Sequence, residues 1–258
     1  MRPSILFTLS LFPLCGIGQD STGHNGEEVA LMHYATRYNT DFERGEAYRH
    51  FLGVLVCQGG DSDFYMLPDS AKSRVPDDVE LLMEADTLFR VVKQPDEDRL
   101  FFSDIGIDGR VRHYRDSLHP MVWKLLPERR TIGDLECEKA VTVFRGRNYT
   151  AWYAVSIPIA NGPWKLGGLP GLIVEAYEDN MDMHFMLTGI RFQKAQGGEK
   201  PGSNHAQGIP GYSAFIDYWK KAVNMLRGSV GARESPDCVS CHVNTKVRFY
   251  SWEKVDTL

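Results

Sequence analysis

Apolar and polar residues alternate along most of this chain, which is the two-residue period of a β-strand with one buried face. Runs of this kind, rich in β-branched and aromatic residues, lie at 29–42, 51–58, 64–67, 90–93, 99–105, 111–115, 122–126, 137–144, 149–157, 172–177, 183–192 and 246–255. Asp108-Gly109 has the composition of a tight hairpin turn between two of them. Because the connections are short, the sequence predicts an antiparallel meander.

Two segments have helical periodicity instead. Val79, Leu82 and Met83 recur close to the spacing of one helix face, which predicts a short helix near 77–89. Aromatic residues recur in the same way near 212–227, where we expect an amphipathic helix that packs on the sheet. The predicted fold class is therefore mainly β (α+β).

The first eighteen residues have the composition of a secretory signal peptide. Arg2 supplies a positive charge and 5–14 is an apolar run followed by small residues. This pattern predicts removal of 1–18, a flexible polar leader at 19–28 and a single domain at 29–258. We expect an exported protein, either periplasmic or secreted.

An alternative route of export is a lipid anchor on Cys15. Leu14 precedes this cysteine, where lipoproteins carry a small residue, so the sequence favours a cleaved signal peptide. No later run reaches the roughly 18 apolar residues that a membrane-spanning helix needs. We therefore expect no transmembrane segment in the mature chain.

Charge and composition change the picture little. The 258 residues are 43% hydrophobic and 24% charged, as in an ordinary globular protein. The net charge of -5 and the absence of a Lys/Arg run argue against nucleic acid as a partner.

Export would place the cysteines in an oxidising compartment, where thiols tend to pair. The disulfide candidates are Cys57, Cys137, Cys238 and Cys241, and four cysteines allow three pairings.

The segment from Cys238 to His242 reads Cys-Val-Ser-Cys-His, which is the attachment pattern of haem c. A disulfide that tightens this loop is the simplest interpretation. Haem c bound through Cys238, Cys241 and His242 is an alternative, and a metal bound by the two thiolates and either His242 or His205 is another. Apart from these alternatives, no cofactor is expected.

A set of blocks in the middle of the chain resembles the GLPGLI family, also called the Porph_ging domain. The ordered blocks are Trp-Lys-Leu at 123–125, Cys-Glu-Lys-Ala at 137–140, Phe-Arg-Gly-Arg-Asn-Tyr-Thr-Ala-Trp-Tyr at 144–153, Ile-Pro-Ile at 157–159, Gly-Pro-Trp-Lys at 162–165 and Gly-Leu-Pro-Gly-Leu-Ile-Val-Glu at 168–175. The resemblance implies one exported, β-rich domain with a curved, bowl-like or open-barrel sheet, similar to the accessory domain in front of one class of peptide N-glycosidase. It brings no known catalytic residues.

The namesake hexapeptide begins at Gly168 and has the residues of a tight turn. Pro170 fixes φ at the second position of a type II turn, and Gly171 would supply the positive φ at the third. Leu169 and Leu172 flank this turn and could pack together.

Four residues near the hexapeptide are candidates for ligand binding. Arg145 and Arg147 could together grip a carboxylate or phosphate, although cross-strand ion pairs are the more common use of such residues. Trp152 and Trp164 could belong to the core or line an apolar or carbohydrate-binding cleft.

The leading functional hypothesis is a non-catalytic envelope protein that binds a peptide, lipid, glycan or partner protein. The alternative is a redox, haem or metal protein that uses Cys238, Cys241 and His242. A third hypothesis is a hydrolase whose carboxylates are Glu175 and Asp179.

Overall fold

The structure is a computed structural model that describes residues 28–39, 48–68, 89–106, 108–118, 121–195 and 208–231. These residues do not include the predicted signal peptide, the motif at 238–242, the strand at 246–255 or nearly all of the predicted helix at 77–89. Of the predicted leader at 19–28 they include only Glu28, which begins a strand.

In the described ranges eleven antiparallel strands form one open sheet, and the prediction of a mainly β fold is confirmed. The strands are β1 Glu28–Asn39, β2 Tyr48–Gln58, β3 Asp61–Pro68, β4 Phe89–Gln94, β5 Arg99–Ile105, β6 Val111–Asp116, β7 Lys124–Ile132, β8 Leu135–Phe144, β9 Arg147–Ala154, β10 Leu172–Glu178 and β11 Met183–Lys194. Their order is β6-β5-β4-β3-β2-β1-β11-β10-β9-β8-β7, so β6 and β7 are the edge strands of the described sheet.

The sheet consists of two meanders joined at its centre. Strands β1 to β6 pair in chain order, as do β7 to β11, and the joint is the pairing of β1 with β11. This pairing runs from Glu28 opposite Lys194 to Tyr38 opposite Met183, with a bulge beside His33. The first strand of the described chain is thus a central strand.

Successive side chains of a strand point to opposite faces, which divides the sheet into an inner and an outer face. The inner face carries the large core, to which Met32, Tyr34, Leu55 and Phe64 belong. The outer face carries a smaller apolar cluster of Val29, Leu31, Leu52, Val54, Val56 and Tyr65. Strand β1 is therefore buried on both faces.

Residues 155–171 connect β9 to β10, and we call this segment the inner loop because its side chains enter the inner core. Trp164, Leu166 and Leu169 are all buried there. The Trp123 indole donates a hydrogen bond to the Gly167 carbonyl at 2.8 Å. Just beyond the loop, the Tyr34 hydroxyl donates to the Ile173 carbonyl at 2.7 Å.

The namesake hexapeptide differs from the predicted type II turn. Gly171 does not have a positive φ, and the positive φ occurs at Gly168, at +83°. Gly171 is required for another reason, because a Cβ atom there would lie 2.2 Å from the Ala154 carbonyl oxygen. Leu169 and Leu172 are both buried in the inner core, as their apolar character suggested.

One α-helix, α1 (Tyr212–Gly231), occurs in the described part of the chain, where the sequence predicts a helix at 212–227. The Phe215 ring centroid lies 5.2 Å from that of Phe102. The Trp219 indole donates to Asp104 Oδ2 at 2.7 Å. No helix in the described ranges has the length and apolar character needed to cross a membrane.

Candidate functional site

A cleft of about 850 Å³ lies between the inner loop and the neighbouring ends of β1, β2 and β4. Most of its wall is apolar, formed by side chains of Ala30, Leu118, Met121, Ile157, Ile159 and Phe192. Lys93, Lys165 and Cys57 are the buried polar side chains among its lining residues. Glu28 and Asp98 also line it but are exposed to solvent. The arrangement is an apolar cavity with a few buried polar groups.

Lys93 on β4 connects the sheet to the inner loop. Its ammonium donates hydrogen bonds to the carbonyls of Gly162 at 2.9 Å and Leu166 at 2.8 Å. The residue is only 4% exposed, and burial lowers the pKa of Lys93 to about 7. At neutral pH this amine therefore changes its charge readily.

Cys57 is a neighbour of Lys93 across the sheet, since Cys57 pairs with Ser62 on β3 and Ser62 pairs with Lys93. Burial raises the pKa of the Cys57 thiol to about 12. Only the thiolate is a good nucleophile or metal ligand, so Cys57 is a neutral, unreactive thiol at pH 7.

Lys165 belongs to the inner loop and is also 4% exposed. Its ammonium lies 3.5 Å from the ring centroid of Phe102 and 5.6 Å from that of Tyr212. Both distances are within the range of cation–π attraction. The cleft therefore contains two buried lysines.

The two candidate arginines are each bound to a different internal carboxylate. Arg145 forms an ion pair with Asp116 at 2.6 Å and covers the Tyr212 ring at 3.8 Å. Arg147 is buried 3.4 Å from Glu178. Arg145 and Arg147 thus have different carboxylate partners. A joint role of the two arginines in ligand binding stays a prediction.

The two candidate tryptophans belong to the same buried core cluster but contact different residues. Trp164 packs in the inner core, with its ring centroid 6.0 Å from that of Phe144. The Arg130 guanidinium stacks on the Trp152 ring at 4.1 Å. Neither residue is among those that line the cleft.

Glu175, beside Trp152, is a buried carboxylate with two partners. Arg130 forms an ion pair with one of its oxygens, and His184 Nε2 lies 2.7 Å from the other. Burial lowers the pKa of His184 to about 4, and the charges of Arg37 and Arg130 act in the same direction. A neutral ring in this position donates its Nε2 hydrogen to Glu175.

Asp179, the other carboxylate of the hydrolase hypothesis, has a separate partner. It accepts a hydrogen bond from the Asn148 amide at 2.9 Å. The described contacts do not bring Asp179 to Glu175.

Cys57 and Cys137 are free, buried thiols, and a bridge between them is ruled out. Strands β2 and β8 are five strands apart, which is about 24 Å along the sheet, whereas a disulfide needs Cα atoms within about 7 Å. Cys238, Cys241 and His242 lie outside the described residues. Within the described ranges, no three His, Cys, Asp or Glu side chains are grouped to hold a metal ion.

The two-residue alternation along β4 indicated that Lys93 is buried, and the sequence-based prediction missed this. Phe89, Val91 and Lys93 occupy alternate positions of one strand, so the lysine stands where the pattern calls for an apolar side chain. The cleft itself had no such signal, because its lining comes from segments far apart in the chain.

Residues 142–175 match a family profile described as a protein of unknown function (Porph_ging). Over this stretch the chain is similar to the Porph_ging family. The prediction of this family is thereby confirmed. The matched segment contains the last residues of β8, all of β9, the whole inner loop and the first residues of β10, so it includes the loop that Lys93 binds.

No curated protein matches the chain. Among solved structures it is similar to PNGF-II in a C2 crystal form, with 14% identity, a TM-score of 0.50, and coverage of 76% of this chain and 33% of that one. PNGF-II in a P21 crystal form gives 14% identity, a TM-score of 0.49, and 76% and 34% coverage. The chain thus spans about a third of these proteins, and the C2 likeness shows a related fold alone.

Proposed function

We propose that this protein is a non-catalytic binding protein of the cell envelope whose ligand occupies the cleft beneath the inner loop. The cleft carries the proposal, because its volume of about 850 Å³ lies in the range of small-molecule sites, roughly 300–1,000 Å³. The proposal includes export through the segment 1–18 and a single domain at 29–258.

The chemistry of the cleft supports binding over catalysis. Its thiol, Cys57, is protonated at pH 7 because burial raises its pKa to about 12. Its best-placed amine, Lys93, donates hydrogen bonds to two main-chain carbonyls. These groups are suited to hold a ligand in place.

A second candidate function follows from the motif at 238–242. Cys238, Cys241 and His242 have the spacing of a haem c attachment site, and a haem there would make the protein a redox carrier. This candidate predicts a covalent cofactor, whereas the cleft predicts a non-covalent ligand.

Mass spectrometry of the protein purified from its native envelope, without reduction, tests both candidates. Under native conditions we expect a small molecule that is released on denaturation. Gly60→Trp should abolish its retention, because Gly60 lines the cleft and no atom lies within 4 Å of a Cβ placed there. Gly189→Trp is the matched control, since it also enters open space but lies outside the cleft.

Equal retention in both variants, or no released molecule at all, would reject the cleft as the binding site. A covalent haem on the denatured chain, with its absorbance, would establish the redox candidate instead.

A further inference from the structure

The charge distribution of the cleft indicates the chemistry of its ligand. Among the described residues, no carboxylate forms an ion pair with Lys93, whose hydrogen bonds both go to neutral carbonyls. An ammonium has three N–H donors, so one donor is left for a ligand. A buried ammonium without a counter-ion is costly, and an anion brought by the ligand would supply it.

Among the described residues that line the cleft, a second lysine is buried in the interior, and the two carboxylates lie at the solvent side. Lys165 lines the same cleft from the inner loop, and Cys57 faces it as a neutral thiol. Glu28 of β1 and Asp98, which follows β4, are exposed. A single buried anionic group is therefore favoured.

The apolar wall indicates what this anion is attached to. Ile157 and Ile159 of the inner loop, Leu118, Met121 and Phe192 line the remainder of the cleft. Polar ligands of the same size would leave many groups there without hydrogen bonds. An apolar chain fits this surface.

We infer that the cleft binds an amphiphile with one carboxylate and an apolar chain, and that Lys93 receives the carboxylate. This inference rests on the proposed function and specifies the ligand class for the same cleft.

Proton linkage provides a signature that a purely apolar site would lack. In the free protein, burial holds the pKa of Lys93 near 7, and the bound carboxylate raises it. Only the protonated amine attracts the anion. The Kd for the carboxylate should therefore be about tenfold higher at pH 8 than at pH 6.

Isothermal titration calorimetry with dodecanoate and dodecanol, which share a chain and differ in the head group, tests the inference. Dodecanoate should bind at pH 6 at least about tenfold more tightly, the value of one charge-assisted hydrogen bond. Lys93→Met should remove this preference and leave dodecanol binding unchanged. Lys124→Met, at an exposed lysine on β7 outside the cleft, is the control.

The outcomes separate the two levels of the proposal. If dodecanol and dodecanoate bind equally and without pH dependence, and Gly60→Trp blocks both, the cleft is a binding site and the carboxylate inference is wrong. If neither ligand binds at either pH, the inference is also wrong, and the native mass measurement alone decides the proposed function. Should Lys93→Met fail to fold, the tenfold pH ratio in the unaltered protein decides the inference.

Discussion

Single residues of the inner loop have strict steric requirements. Gly171 passes so close to β9 that a methyl group would meet the carbonyl of Ala154 at 2.2 Å. The Ala154 carbonyl belongs to the main chain of β9, which cannot move aside as the end of a flexible side chain can. The need for glycine here comes from packing, whereas at Gly168 it comes from a φ of +83°.

Gly171→Ala should therefore lower the free energy of unfolding by about 3 kcal/mol or more, since the overlap forces the backbone to shift. Urea unfolding followed by circular dichroism measures this loss. Gly189→Ala on β11 is the control and should change stability little, because nothing lies near its added methyl group. Equal stability of the two variants would contradict the close approach.

At the scale of elements, strands of the first meander form hydrogen bonds with the inner loop and with the start of β10. Lys93 on β4 binds it at Gly162 and Leu166, and Tyr34 on β1 binds the start of β10 at Ile173. The loop thus links the first meander to the second.

Tyr34→Phe should destabilise the fold by about 1–2 kcal/mol, because it removes a buried hydrogen bond and leaves the Ile173 carbonyl with one partner fewer. Urea unfolding gives the difference. Tyr177→Phe, at a half-buried tyrosine on β10, should stay within about 0.5 kcal/mol of the unaltered protein. The attachment described above would be refuted if the two substitutions had the same effect.

Strand prediction from the sequence succeeds where at least one face of a strand is buried and fails where both faces are exposed. Two-residue alternation locates most strands of both meanders, since each has one face in the inner core. The sequence predicts strand β7 only at 122–126, but the strand runs to Ile132. The prediction stops early because Pro127, Glu128 and Arg129 lie on an exposed edge, where apolar and polar residues do not alternate. The cleft could not be predicted, since pairing across the sheet, and not local pattern, brings Cys57 and Lys93 together.

At the scale of the whole molecule, the stability of the sheet depends on the pairing of β1 with β11. Ala35 pairs with Met186 on one side and Leu52 on the other, so its strand has neighbours along both edges. Among the strands that the structure describes, β7 pairs with β8 alone, and Glu128 lies in an irregular part of that pairing.

Ala35→Pro should prevent folding, or cost about 3 kcal/mol or more, because proline removes a ladder donor from a central strand. Glu128→Pro should be tolerated at the edge, with a loss below about 1 kcal/mol. Circular dichroism and urea titration of both variants check this. A folded, stable Ala35→Pro protein would show that the centre of the sheet is elsewhere.

The central position of β1 also determines when the fold can form. Its partner β11 lies about 150 residues later in the chain and is synthesised after it. The sheet is therefore complete only when residues far apart in sequence have paired, and such pairing slows folding. Until then β1 presents an unpaired edge with apolar side chains on both faces, the kind of surface that recruits strands from other molecules. A chain that stops before Met183 would keep this edge permanently and should aggregate.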